Sequence, residues 1–80
     1  MLQDPKIQAQ LIALGGNVRR ERTARDMTQE KLAELVDLNI RTVQKIEGGK
    51  INILVTTVLR IQKALGCPWS RLMPDCLTRP

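Results

Sequence analysis

Arg41, Gln44 and Lys45 stand within four residues of one another in the run MTQEKLAELVDLNIRTVQKIEGGK, residues 27–50. On a helix, residues three and four apart are neighbours on one face. Arg41 would there offer a planar fork of donors, Gln44 a donor and an acceptor, and Lys45 a compact cation. These groups suit recognition of a polyanion and of the hydrogen-bonding edges displayed along it. Val43 and Ile46, three apart, must take the inward face. Ile40, Arg41, Gln44 and Lys45 are then left on or near the outward side.

Nothing in the chain competes with that reading as chemistry. There is no histidine, no nucleophile paired with a base, and no glycine-rich phosphate loop after a strand. An enzyme is therefore not expected, and neither is a cofactor. Cys67 and Cys76 have neither the number nor the spacing of a zinc site. No metal is expected, and reduced thiols are the default. Met1 to Asp4 lacks the basic segment of a secretory signal, and no apolar run is long enough to span a bilayer. A cytoplasmic protein with no membrane contact is the expectation.

The elements that must hold residues 41–45 are short. Thr28 precedes QEKLAELV and is a favoured N-cap, with Glu30 suited to the positive end of the helix dipole. Leu32, Leu35 and Val36 form the expected inward face, with Ala33 allowing close packing. Asp37 and Leu38 make a turn, and Asn39 caps a second helix over about residues 40–47. Gly48-Gly49 ends it. Helices of about eight residues are not stable alone in water, so flanking elements must support both.

The support is legible on either side. Ile7, Leu11, Leu14 and Val18 recur at spacings of four, three and four, one face of a helix that starts near Lys6. Gly15-Gly16 interrupts it and predicts a kink, or a helix beginning near Gly16. A further helix is expected over about 54–65, ended by Gly66, and a last short turn over about 69–73. Trp69, Leu72, Met73 and Leu77 form an apolar cluster there. Its expected use is packing against the first helix, for Leu72 above all. No strand-period alternation occurs anywhere.

Eighty residues with 42% apolar content and one aromatic residue, Trp69, bound the fold further. They suffice for one small aliphatic core. The formal charge of +5 is compatible with a polyanionic partner. A rigid helix with Arg41, Gln44 and Lys45 exposed, and free N–H groups at its start, has what is needed to enter the major groove of DNA.

Three stretches together carry a family resemblance. TQEKLA (28–33), TVQKIEGGK (42–50) and LRI through ALG (59–66) resemble the lambda-repressor-like helix-turn-helix family, the Cro/C1 type also called XRE, over about residues 14–73. The resemblance implies an all-α fold, a compact bundle of five helices, and a single domain over 1–80 with a core of about 7–73. It also implies sequence-specific transcription regulation by a homodimer on double-stranded DNA.

Position by position, Asn39, Ile40, Arg41, Gln44 and Lys45 match the base-reading positions. Arg41 would suit guanine O6 and N7, Gln44 adenine or a phosphate, and Ile40 a thymine methyl. Gln29 and Lys50 match phosphate-contacting positions; Asn52, through its backbone, and Arg19 are further phosphate candidates, with Arg25 beside them. Arg22 and Glu47 match a pair that forms an internal salt bridge in many members.

Four positions depart from the pattern. Asp26 stands where glycine is usual, a place aspartate tolerates. Glu21 replaces an apolar residue, which predicts a thinner core there. Leu54 stands where Ser or Pro often begins a helix, leaving Asn52 as the expected cap. Cys67 replaces a small apolar residue and is expected to be a buried thiol. An alternative of a different class is an antitoxin or adaptor whose main task is to bind a protein partner, with DNA binding secondary.

Overall fold

In the structure, a computed structural model that describes residues 4–74, five helices follow one another. They are α1 (Pro5–Thr23), α2 (Gln29–Val36), α3 (Ile40–Glu47), α4 (Val55–Leu65) and α5 (Trp69–Leu72). The described residues contain no strand, so the fold is all-α. None of these helices is long and apolar enough to cross a membrane. Cys76 and Leu77 lie outside the described residues.

The first three helices each begin where a side chain can satisfy a free N–H group. Asp4 accepts from the Lys6 N–H at 2.9 Å, with Pro5 in the first turn, where a missing N–H costs nothing. Thr28 Oγ1 accepts from the Lys31 N–H at 3.0 Å, and Asn39 Oδ1 from the Arg41 N–H at 2.8 Å. α4 has no such cap: its N-cap is Leu54, without a side-chain bond, so the expected role of Asn52 is not realised.

The core is aliphatic. Leu14, Val18, Leu32, Ala33, Val36, Val43, Ile46, Val58, Ile61, Leu65, Cys67 and Leu72 are buried together. Each large side chain removed from water contributes roughly 1.5–3 kcal/mol, which sustains helices too short to form alone. Two expected core positions are exposed instead. Ile7, near the start of α1, is 41% exposed, and Leu35 is 49% exposed at the rim of a depression it shares with Arg60, Lys63 and Ala64 of α4. Leu54, Val55 and Leu59 add to the exposed apolar surface.

The glycine pair does not interrupt α1, which runs unbroken through residues 15 and 16. Gly15 is buried where α1 crosses α3. A Cβ there would overlap the Ile46 carbonyl oxygen and lie 2.6 Å from that of Glu47. Gly49, at φ +68°, meets the same helix just beyond that same end of α3, where a Cβ would lie 2.6 Å from the Ile12 Cα. The two glycines let α3 approach α1 backbone to backbone. The gain in packing offsets the helix propensity that Gly15 forgoes.

Glu21 does not thin the core; it replaces apolar packing with a charge cluster. Its carboxylate is 2% exposed and receives Arg20 Nε at 3.1 Å, Arg25 Nη1 at 2.9 Å and Arg71 Nη2 at 3.1 Å. Arg71 is on α5, and Arg20 also donates to the Arg71 carbonyl at 2.7 Å. Asn17 Nδ2 donates to the Leu72 carbonyl at 2.8 Å. A four-residue helix cannot hold itself. Buried Leu72 and these bonds to α1 hold α5 in place. The hydrogen bond from Arg25, more than any other influence, keeps the Glu21 carboxyl below its ordinary pKa, with Arg20 and Arg71 acting the same way against the cost of burial.

Candidate nucleic-acid interface

Only Asp37, Leu38 and Asn39 separate α2 from α3. The connection is that short because Asp37 adopts the left-handed conformation, φ +57°, which reverses the chain in one residue. Leu38 then donates its N–H to the Ala33 carbonyl at 2.9 Å and packs against the core. Asp26 uses the same conformation, φ +53°, in the turn before α2. Aspartate enters this region more readily than most residues.

α3 is closed at its far end by Gly48 and Gly49. The Lys50 N–H reaches the Lys45 carbonyl at 2.9 Å, and the Gly49 N–H reaches Ile46 at 3.0 Å. These paired bonds are the Schellman arrangement. They bring Lys50 back beside the last turn of the helix. Arg41, Gln44, Lys45, Gly48 and Lys50 consequently line one shallow depression of about 420 Å³. Three cations and an amide share that open face.

Arg22 secures the arrangement from below. Its Nε donates to Glu47 Oε2 at 2.7 Å and its Nη2 to Glu47 Oε1 at 3.1 Å. Its remaining Nη1 donates to the Met27 carbonyl at 2.7 Å. One guanidinium thus joins α1, the turn before α2 and the end of α3. Both side chains of the pair are at least nine-tenths buried, and every donor set is engaged, so the buried charges are fully compensated.

Gln29, at the start of α2, is drawn into the same network. Its Nε2 donates to Glu47 Oε1 at 3.0 Å, and its Oε1 faces Gln44 Nε2 at 3.4 Å. Asn39 is exposed, with its side-chain oxygen engaged as the cap of α3. Ile40 is half-buried and packs against the core. Asn52 and Arg19 are exposed, on the loop before α4 and on α1. Arg25 is turned away to Glu21.

The structure therefore gathers Arg41, Gln44, Lys45 and Lys50 around one depression, and joins Gln29 to the buried pair beneath it. Sequence reasoning missed the link from Gln29 to Glu47, because residues 18 apart carry no periodic signal. It also missed the Glu21 cluster. The Glu21–Arg25 spacing of four was legible, but not the arrival of Arg71 from 50 residues away.

Residues 18–72 match the helix-turn-helix family. The chain belongs to that family, in its Cro/C1 branch. Among curated proteins, none matches this sequence. Solved structures agree on the fold of this helix-turn-helix protein. The restriction-modification controller protein C.AhdI from Aeromonas hydrophila is 32% identical, with a TM-score of 0.77 over 81% of this chain and 98% of that one. The hypothetical transcription factor NHTF from Neisseria is 27% identical, at 0.76, over 92% and 86%. The clp gene regulator ClgR from C. glutamicum, 21% identical, shares the fold at 0.76 over 90% and 88%. DNA-binding transcription regulation is the function these similarities support.

Proposed function

We propose that this helix-turn-helix protein regulates transcription by binding operator DNA as a homodimer, with α3 in the major groove. The observation that carries the reading is the depression lined by Arg41, Gln44, Lys45 and Lys50, on a helix anchored by a buried ion pair. Arg41, Gln44 and Lys45 reach base edges together with Asn39 and Ile40. Gln29, Lys50, Asn52 and Arg19 hold phosphates and fix the register. Two copies are required because one eight-residue helix spans too few base pairs for useful discrimination. A dimer spaces its two helices by about 34–36 Å, one turn of DNA. Similarity to a restriction-modification controller protein is in keeping with this reading.

The decisive experiment compares wild type and Arg41→Ala on the DNA upstream of the protein's own gene and on a scrambled duplex, at two salt concentrations. Wild type should prefer the upstream DNA. Arg41→Ala should lose about 1–3 kcal/mol of that preference while keeping most of the salt dependence. Equal binding of both duplexes by both proteins, with the same steep loss in salt, would leave only phosphate attraction. The search would then turn to a protein partner.

A further inference from the structure

Gln29 joins a buried charge to the exposed recognition face, and the chemistry of that charge dictates which way its amide points. Arg22 binds both carboxylate oxygens of Glu47. An ionised carboxylate can only accept hydrogen bonds. Gln29 must therefore turn its N–H group to Glu47, which it does at 3.0 Å, and its oxygen toward Gln44. Gln44, facing an acceptor, must turn its own N–H toward Gln29, across 3.4 Å. The oxygen of Gln44 and its second N–H are then what remain for a ligand. Reading adenine with one amide needs a donor and an acceptor in a set order, so the order presented by Gln44 bears directly on which base it accepts.

We propose that Gln29 is a positioning residue: through Glu47 it sets the amide orientation of Gln44, and so the base preference at the pairs Gln44 reads. This rests on the DNA-binding reading above and goes beyond a phosphate contact by Gln29. The Gln29–Gln44 contact is long for an amide pair and open to water, so its effect is modest. A contribution of one net hydrogen bond corresponds to a change in discrimination of about threefold to tenfold.

The test uses wild type, Gln29→Met, Gln44→Ala and the double variant. Gln29→Met keeps length and helix propensity while removing both hydrogen bonds; Gln29→Ala serves as a second variant. Each is titrated against the preferred duplex and against duplexes carrying one base-pair change each, at several salt concentrations. Gln29→Met should flatten the preference by about threefold to tenfold at the base pairs that Gln44→Ala affects, and at no others. The double variant should show no further flattening there beyond Gln44→Ala. A Gln29→Met protein that binds every duplex more weakly by one factor, with its base profile intact and its salt slope reduced by about one, would overturn the proposal and leave a phosphate contact alone. A wild type without any base preference would overturn the DNA reading and the proposal together, and the wild-type titration alone distinguishes that case.

Discussion

Gly15 lies directly against the carbonyl of Ile46, so closely that a Cβ on residue 15 would overlap that oxygen. Gly16, the next residue, has nothing within 4 Å of the corresponding position. The two glycines therefore predict opposite outcomes. Gly16→Ala gains helix propensity on an exposed helix surface and should stabilise the protein by about 1 kcal/mol, raising Tm by about 4–8 °C. Gly15→Ala meets backbone atoms that cannot move aside and should destabilise it by about 1–3 kcal/mol. Urea or thermal unfolding of the two variants checks both signs.

The Arg22–Glu47 pair predicts an asymmetry between removing a charge and removing surface. Glu47→Ala leaves a buried guanidinium bound only to the Met27 carbonyl, and should cost about 3–5 kcal/mol. Arg22→Ala should cost a similar amount and also loosen the turn before α2, since Arg22 binds the Met27 carbonyl there. Exposed Arg41→Ala should leave stability within about 0.5 kcal/mol of wild type. Chemical denaturation of the three variants measures these differences.

Glu21 predicts an acid-sensitive docking of α5. Its folded pKa lies below the ordinary value of 4.5, held there first by the hydrogen bond from Arg25. A lowered carboxyl pKa contributes stability that is fully present above the ordinary value and is lost as pH falls through the lower, folded value. Tm should thus hold above about pH 5 and drop below 4.5. Glu21→Gln should lower Tm at neutral pH, where Arg20, Arg25 and Arg71 lose their shared carboxylate, and should make the acid drop shallower. An equal acid drop in both proteins would count against Glu21 as its source.

Cys67 should react slowly while the protein is folded. Burial, first of all, pushes its thiol above the ordinary value of 9.0, and only the thiolate attacks disulfide reagents. In a Cys76→Ser background, where Cys67 is the sole thiol, labelling should be slow in buffer and fast in urea. Fast labelling of the folded protein would show that the thiol is accessible.

The elements of the fold were readable because they depend on local chemistry. Thr28 and Asn39 cap helices by bonding N–H groups two or three residues away. Gly48-Gly49 ends α3 for a reason confined to its own backbone. Val43 and Ile46 face inward by spacing alone. The exposure of Arg41, Gln44 and Lys45 follows from the same arithmetic. Leu35 and Ile7 escaped it, since a periodic apolar position is buried only where another element arrives to cover it.

By itself the sequence determined an all-α chain, the caps and ends of its two central helices, and which side chains the third helix shows to solvent, because all of these are set within a few residues. The tertiary structure decided the rest. It turned Gly15 from a helix breaker into the point where α1 and α3 touch. It gave Glu21 three guanidinium partners, one from residue 71, and it tied Gln29 to Glu47 beneath the recognition face. Each of these depends on atoms brought together from distant parts of the chain, whose meeting no local pattern encodes.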